Sequence, residues 1–340
     1  MTLEQRKAAF RQLGKYLNSP DEELKQLINS AHHSNAWFTP QETAKALKGI
    51  SFMLNEEDLN TWFDSIQSDL KNDISPKTVG LVLAGNIPLV GFHDILAVLA
   101  TGHIALIKAS SQDKYLIPHL LNKLIEFQPG FETQIRFTER LENFEAVIAT
   151  GSNNSSRYFE HYFGKVPHII RKNRNSIAVL SGNESSDDLY LLGHDLFDYF
   201  GLGCRNVSKV FVPHDYDFRI FFETIEGYNN IVNHNKYCNN YEYNKSIYLI
   251  NRDKHLDNGF LLVKEDTCLA SPLAVLYFEE YKDLASVEEN IADHADEIQC
   301  IVTREKLSIK SQQLSFGESQ KPKLWDYADG VNTVGFLLSL

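Results

Sequence analysis

Several features that would assign a protein to a specialised class are scarce or missing in this sequence. It has four cysteines in 340 residues, none with the paired Cys-x-x-Cys spacing of a structural zinc site or a thiol redox motif, so we expect reduced thiols. No run of about 18 apolar residues occurs, which predicts no integral membrane segment. Because residues 1–16 lack an uninterrupted apolar stretch, we expect no signal peptide and a cytoplasmic protein.

Basic residues are fewer than acidic residues. The chain has 33 Lys and Arg against 45 Asp and Glu, a formal charge of −12. This balance argues against nucleic acid or an anionic membrane as a partner, although a local basic pocket for phosphates is still open. Hydrophobic residues make up 43% and charged residues 23%, which excludes disorder as the main state.

Candidate metal ligands are few. His32 and His33 are adjacent, and adjacent side chains on a helix point apart. His234 and Cys238 have the spacing of a helical metal pair, but the Asn- and Tyr-rich stretch 228–244 favours an irregular loop without a third or fourth ligand. The sequence therefore predicts no metal site.

The pattern of apolar residues predicts an α/β protein. Residues 1–75 are predicted to form a helical N-terminal layer, with caps at Ser19-Pro20-Asp21-Glu22 and Thr39-Pro40-Gln41-Glu42. Short β-branched runs then alternate with helical stretches, which predicts a parallel sheet in a Rossmann-like cofactor-binding domain over 76–182. Its strands are expected at 78–84, 104–108, 146–150 and 176–180, and its helices at 91–101 and 112–126.

The alternation resumes after residue 182, which predicts a second α/β domain over 183–315. A helix is expected at 185–200, with strands at 210–212, 246–250, 273–278 and 298–302. Residues 316–340 are predicted to be a C-terminal strand segment. Its strand at 333–338 would be an internal edge strand or would pair with a second copy in a homo-oligomer.

Three segments lie at the carboxyl ends of predicted strands, where α/β sheets bind ligands. Gly85-Asn86-Ile87-Pro88 offers close backbone approach and an amide donor, or is a tight turn. Lys108-Ala109-Ser110-Ser111 offers a partner for ribose hydroxyls or phosphate, or a surface lysine. Thr150-Gly151-Ser152 opens a helix whose N–H groups could hold a pyrophosphate, or is an ordinary cap. The Gly-x-Gly-x-x-Gly dinucleotide fingerprint is missing.

A fourth segment, Gly201-Leu202-Gly203-Cys204-Arg205-Asn206, places a cysteine after two glycines. Cys204 is thus free of bulky neighbours, its backbone N–H can face a substrate oxygen, and nearby cations favour a thiolate nucleophile. The alternative is that this cysteine is a small buried hydrophobic residue.

Taken in order, these four segments resemble the aldehyde dehydrogenase superfamily, and within it the acyl-CoA reductase family that includes the fatty acid reductase of bacterial bioluminescence. The resemblance covers residues 78–335 and also rests on Ser271-Pro272-Leu273-Ala274 and Ala328-Asp329-Gly330-Val331-Asn332-Thr333. It implies an aldehyde-dehydrogenase-like fold of two α/β domains with largely parallel sheets.

The resemblance also implies roles for individual residues. Cys204 would be the nucleophile, and its N–H and the Asn86 side chain would form an oxyanion hole. The nicotinamide cofactor would be bound by Gly85, Lys108, Ser110, Ser111, Gly151 and Ser152.

Departures from the superfamily pattern refine this interpretation. The glutamate that activates water in hydrolytic members is replaced by the basic run Arg171-Lys172-Asn173-Arg174, which could hold phosphates or form a solvated turn. An acyl-cysteine would then exchange with coenzyme A instead of hydrolysing. The element that contacts the nicotinamide ribose is replaced by Cys268-Leu269-Ala270-Ser271-Pro272. Ser111 leaves room for a 2′-phosphate, which favours NADPH, with NADH as the alternative.

The sequence thus predicts an NADPH-dependent reductase that converts an acyl-CoA to an aldehyde through a cysteine thioester. Two alternatives remain: a cysteine-dependent acyltransferase or thioesterase without hydride transfer, and a non-catalytic acyl-binding subunit. Cys204 reactivity and NADPH consumption distinguish them.

Overall fold

Two mostly parallel sheets organise the chain. The computed structural model describes residues 1–69 and 75–340. One unit comprises Met1–Asn173, Lys321–Tyr327 and Val331–Leu340, and the other comprises Arg174–Gln320 and Ala328–Gly330. The predicted α/β class with largely parallel sheets is confirmed. The expected boundary after residue 182 differs from the observed division, because the strand predicted at 176–180 pairs within the second unit.

The first unit begins with helices that match the predicted helical layer. Thr39 caps one of them by accepting a hydrogen bond from the N–H of Glu42, with Pro40 at the first position. At the other predicted start the cap is Asp21, so Pro20 lies outside the helix. Phe10 stacks on Phe131, which ties the first helix to the body of the unit. These helices are α1 (Leu3–Asn18), α2 (Glu22–Ser30), α3 (Pro40–Met53) and α4 (Glu56–Asp69).

A five-stranded parallel sheet forms the core of the first unit. Its strands are β1 (Thr78–Val82), β2 (Ile104–Lys108), β3 (Ile135–Phe137), β4 (Ala146–Thr150) and β5 (His168–Arg171), in the spatial order β3-β2-β1-β4-β5. The connecting helices are α5 (Phe92–Ala100), α6 (Leu116–Phe127) and α7 (Asn153–Phe163). The central strands are apolar along their length because both faces of the sheet are covered. This arrangement brings the carboxyl ends of all five strands to one edge.

The second unit contains a seven-stranded sheet. Its strands are β6 (Asn175–Val179), β7 (Val207–Pro213), β8 (Leu256–Asp257), β9 (Leu262–Glu265), β10 (Val275–Tyr281), β11 (Ile298–Thr303) and β12 (Gln313–Leu314). The order is β12-β11-β6-β7-β10-β9-β8, and every pairing is parallel except β8 with β9. The helices are α8 (Ser186–Phe197), α9 (Phe218–Ile225), α10 (Asn235–Asn251) and α11 (Leu284–Asp293).

The loop predicted at 228–244 and the strand predicted at 246–250 are both wrong, because α10 covers most of these residues. Tyr237, Tyr241, Asn244 and Tyr248 are buried at helical spacing. The Tyr237 hydroxyl donates to the carbonyl of Phe260. The Asn and Tyr content that favoured a loop instead supplies the polar tips of a buried helical stripe.

The strand predicted at 333–338 is also wrong, since Thr333–Leu338 forms the helix α12 in the first unit. Asn332 caps α12 by accepting a hydrogen bond from the N–H of Gly335. The carbonyl of Leu337 bonds the ring of His103 at 2.9 Å. The C-terminal residues are therefore packed within the first unit as a helix. Across residues 1–69 and 75–340, no helix has both the length and the apolar character needed to cross a membrane.

Candidate active site

A cleft of about 760 Å³ lies in the first unit at the carboxyl ends of β1, β2 and β3. Three of the predicted cofactor residues, Lys108, Ser110 and Ser111, line it. Lys114 adds a second cation and Glu139 an anion. The volume lies within the range of about 300–1,000 Å³ that is typical of small-molecule sites. The cleft therefore combines cations and hydroxyls that suit a phosphorylated ribose.

The sequence analysis missed Lys114, Pro118 and the segment 137–139 in this cleft. Residues 137–139 were missed because β3 is only three residues long and gives no periodic signal. A strand ending at Phe137 would have placed the following residues at the same edge as Lys108, because the two strands are parallel neighbours.

The turn that carries Asn86 follows β1. Gly85 is buried, and a Cβ there would lie 2.3 Å from Ser110 Oγ, so only glycine fits this close approach. Asn35 donates to the Gly85 carbonyl at 3.1 Å. Leu89 has a left-handed backbone with φ 60°, and its N–H donates to Asp113 at 2.8 Å. The exposed Asn86 thus lies on a turn whose two ends are fixed.

Asp113 is the buried group that holds this turn. Burial raises the pKa of Asp113 to about 6. The backbone N–H groups of Leu89, Leu116 and Ile117 lower it and so only partly offset that effect.

Gly151 and Ser152 lie at the same edge of the sheet, after β4, but are not among the residues that line the cleft. Ser152 caps α7 by accepting a hydrogen bond from the N–H of Ser155 at 3.2 Å. A Cβ on Gly151 would lie 2.7 Å from the ring of Phe159 and 2.8 Å from Ser155 Cβ. Both residues therefore have a structural role at the start of α7.

The basic run begins at Arg171, the last residue of β5, and continues into the loop before β6, where Lys172 and Asn173 are exposed as in a solvated turn. Arg171 is buried and donates to Asp94 at 2.8 Å and to Thr333 at 2.9 Å. Lys172 is exposed and pairs with Glu160 at 3.3 Å. Arg171 thus stabilises the packing of the first unit instead of offering a free cation.

Cys204 lies in the second unit, on a turn between α8 and β7. A 3₁₀ turn, Asp198–Gly201, precedes it, with left-handed backbone at Tyr199, Phe200 and Gly201. Each of the two non-glycine residues costs about 1–2 kcal/mol in this conformation. Both side chains are buried, which offsets that cost, and Cys204 itself is exposed. The alternative of a small buried hydrophobic residue is therefore wrong, and the role of Cys204 as a nucleophile stays a prediction.

Hydrogen bonds fix the backbone on both sides of Cys204. The buried side chain of Asn206 accepts from the N–H of Gly203 at 2.8 Å and donates to the carbonyl of Asp198 at 2.9 Å. The Ser176 hydroxyl donates to the carbonyl of Cys204 at 3.0 Å.

Two other cysteines of the second unit are poor nucleophiles. Cys300 is buried, and burial raises the pKa of its thiol to about 11. Cys268 is exposed, but its hydrogen bond to Asp266 raises the pKa of its thiol. Both are therefore less available as thiolates near neutral pH than an ordinary cysteine.

The cations expected near Cys204 are bound to other groups. Lys209 is fully buried and pairs with Glu279 and the carbonyl of Thr267. Arg205 donates to Gln312 at 3.1 Å and to the carbonyl of Ser319 at 3.4 Å. The positive charge of Lys209 is thus balanced by Glu279.

Among the described residues, one group has metal-ligand atoms within 4.8 Å of one another: His214, Asp215 and Glu280, all exposed. His214 Nδ1 already shares a hydrogen bond with Glu280. Neither His234 nor Cys238 belongs to this group, and both lie in or next to α10.

Comparison with known proteins identifies the architecture. No family model and no curated protein matches the chain. Aldehyde dehydrogenase 21 from Physcomitrella patens, solved with the reaction product succinate, covers 100% of this chain and 84% of its own at 14% identity and a TM-score of 0.67. The NAD⁺ complex of aldehyde dehydrogenase from Bacillus cereus covers 89% and 72% at 14% identity and a TM-score of 0.65.

A third structure is the aldehyde dehydrogenase KauB from Pseudomonas aeruginosa. It covers 91% of this chain and 73% of its own at 12% identity, with a TM-score of 0.63. Likeness at these identities establishes architecture and leaves the chemistry to the site. The chain therefore has the aldehyde dehydrogenase fold.

Proposed function

We propose that the protein is an NADPH-dependent acyl-CoA reductase that forms an aldehyde through an acyl thioester on Cys204. The observation that carries this proposal is the exposed Cys204 on a turn held by hydrogen bonds, within an aldehyde dehydrogenase fold. A thiol attacks a thioester only if it is accessible and the developing oxyanion is stabilised.

In the first step the Cys204 sulfur attacks the acyl carbon and forms a tetrahedral oxyanion. The Cys204 N–H and the Asn86 side chain are proposed to donate hydrogen bonds to that oxygen. The bond from carbon to the coenzyme A sulfur breaks, coenzyme A leaves as its thiolate, and the acyl group stays on Cys204. In the last step the thiohemiacetal oxyanion on Cys204 collapses: its carbon–sulfur bond breaks, the aldehyde carbonyl forms, and Cys204 leaves as its thiolate.

The cleft of the first unit fits the adenosine part of the cofactor in size and in the chemistry of its lining. Lys108 with Ser110 and Ser111 would hold the phosphorylated ribose, and Gly85 would allow close approach of the backbone. The start of α7, at Gly151 and Ser152, would face the pyrophosphate. When bound, the reduced nicotinamide supplies the hydride that converts the acyl-enzyme to the thiohemiacetal.

Reduction is favoured over hydrolysis because of the residues that precede β6. The run from Arg171 to Asn175 contains no carboxylate, and Arg171 is buried and paired. Without a base to activate water, the acyl-cysteine would persist until it is reduced or returned to coenzyme A.

NADPH consumption, followed by absorbance with acyl-CoAs of short to long chain, tests the proposal. We expect NADPH oxidation that Cys204→Ala abolishes and that Cys268→Ala, a matched exposed cysteine, leaves in place. Release of coenzyme A without NADPH oxidation would instead identify an acyltransferase or thioesterase. A Cys204→Ala variant that still forms aldehyde would refute the assignment, and an unreactive wild-type Cys204 would favour an acyl-binding subunit.

A further inference from the structure

Asn206 holds the backbone of Gly203, the residue before Cys204, at both its N–H and its carbonyl. The Asn206 side-chain oxygen accepts from the N–H of Gly203 at 2.8 Å, and the Asn206 backbone N–H donates to the Gly203 carbonyl at 3.0 Å. On the far side of the cysteine, Ser176 Oγ donates to the Cys204 carbonyl at 3.0 Å. The backbone atoms around the nucleophile are therefore bonded before any substrate arrives.

This arrangement sets the direction of the Cys204 N–H. In a planar trans peptide the N–H points opposite to the carbonyl of the preceding residue. Because the Gly203 carbonyl is directed toward the Asn206 N–H, the Cys204 N–H is directed away from it. A rotation of this plane would have to break the contacts made by Asn206.

Asn206 is itself firmly anchored. Its side chain is buried, and its amide nitrogen donates to the carbonyls of Asp195 at 3.1 Å and Asp198 at 2.9 Å. One amide group thus links the end of α8, the left-handed turn and the N–H of Gly203. Only an amide supplies both the acceptor for Gly203 and the donor for the two carbonyls.

We propose that Asn206, together with Ser176, is a positioning residue that preorganises the backbone N–H of Cys204 as an oxyanion donor. The inference rests on the proposed function, since it assigns a purpose to the same cysteine. It adds residues that touch neither substrate nor cofactor and act through the backbone of the nucleophile.

Two reactions of the same thiol separate positioning from a general structural role. Acylation by p-nitrophenyl acetate passes through a tetrahedral oxyanion, whereas alkylation by iodoacetamide displaces iodide at a saturated carbon and forms no oxyanion. A misdirected N–H therefore slows the first reaction and not the second. Neither reagent contains coenzyme A or needs NADPH, so failure of this inference is distinguishable from failure of the reductase assignment.

The variants are Asn206→Asp, which keeps the acceptor for Gly203 but loses the donor for Asp195 and Asp198, and Ser176→Ala. Gln134→Glu and Ser51→Ala are the matched controls, because these buried side chains bond the backbone carbonyls of Gly102 and Gly14 in the first unit. The p-nitrophenolate burst and the iodoacetamide rate are measured for each, with Cys204→Ala as the blank and circular dichroism as the test of folding.

For Asn206→Asp we expect the acylation rate to fall about tenfold or more, toward the 10²–10³-fold that loss of one oxyanion donor costs, with the alkylation rate retained. Ser176→Ala should show the same split with a smaller fall, and it decides the matter if Asn206→Asp does not fold. Equal losses in both reactions, no loss in either, or a wild-type protein without a Cys204-dependent burst would overturn the proposal.

Discussion

Each unit has a turn that carries a predicted site residue, Asn86 in the first and Cys204 in the second. A buried polar side chain fixes each turn, but the two side chains differ in kind. In the first unit Asp113 accepts from the N–H of Leu89 and so fixes the turn of Asn86. In the second unit Asn206 fixes the turn of Cys204. An ionised carboxylate accepts hydrogen bonds but cannot donate them. An amide both accepts and donates, and it does not titrate.

Because of this difference, we expect the two turns to respond differently to pH. Burial raises the pKa of Asp113 to about 6, so the group that holds the Asn86 turn changes charge just below neutral pH. Asn206 carries no such charge. The nearby Asp195, whose pKa burial also raises to about 6, uses its carboxylate on the N–H groups of Gly317 and Ser319 and reaches Asn206 only through its backbone carbonyl.

The largest effect is expected at Asn86, the proposed oxyanion donor of the first unit. Asn86→Ala should lower acyl-CoA reduction by about 10²–10³-fold, because one donor to the oxyanion is lost. Steady-state NADPH oxidation measures it. Asn229→Ala, a surface asparagine bonded to Glu226, is the control and should be silent. An unchanged rate in Asn86→Ala would remove the first unit's turn from the oxyanion site.

The next effect concerns the charge on Asp113. Its folded-state pKa lies above the ordinary 3.8, so the native state binds this proton more tightly than the unfolded chain does. The resulting stability is fully present below about pH 4 and is lost as the pH rises through about 6. Relative to Asp113→Asn, the wild-type free energy of unfolding should therefore fall by about 3 kcal/mol between about pH 4 and pH 7.

Denaturant titrations followed by tryptophan fluorescence measure this difference. All three tryptophans, Trp37, Trp62 and Trp325, lie in the first unit, so the signal reports on the unit that contains Asp113. Groups that titrate equally in both proteins cancel in the difference. A difference that stays flat across this pH range would show that Asp113 is not the pH-sensitive element.

A smaller effect is expected in the cleft. Lys108→Ala should raise KM for NADPH by about tenfold or more, since a hydrogen bond to a charged group contributes about 1.5–3 kcal/mol. If Lys108 contacts the 2′-phosphate, KM for NADH should rise less. Lys77→Ala is the matched control, because Lys77 precedes β1 at the opposite end of the sheet and pairs with Glu145. Equal changes in Lys108→Ala and Lys77→Ala would count against a cofactor role for the cleft.

The smallest effect compares two serine caps, one in each unit. Ser152 caps α7 and Ser185 caps α8. Replacing either with alanine should cost about 1 kcal/mol of stability, measured by thermal unfolding. Only Ser152→Ala should also raise KM for NADPH, since the start of α7 is proposed to face the pyrophosphate. If both variants leave KM unchanged, Ser152 is a cap and nothing more.

The sequence predicts those parts of the fold whose apolar residues form a clear pattern. The strands β1, β2, β4 and β6 are recognisable as short apolar runs because both of their faces are buried. The strand β3 is too short to detect, and α10 is hidden by its polar composition, although its buried tyrosines have helical spacing.

The candidate site is predicted only in part, for a different reason. Cys204 and Lys108 can be found because Cys204 follows a recognisable glycine turn and Lys108 is the last residue of a recognisable strand. Asp113 and Asn206 cannot be found in this way, because their roles depend on backbone groups of other segments. Asp113 bonds Leu89, 24 positions earlier, and Asn206 bonds the end of α8. Such contacts exist only once the chain has folded.

The most direct test of the account is the intact mass of the protein after mixing with an acyl-CoA in the absence of NADPH. We predict the addition of one acyl group, located on the peptide that contains Cys204 and absent from Cys204→Ala, and its loss when NADPH is added. A protein that gains no acyl group, or that gains it on another residue such as Cys268, would contradict the account.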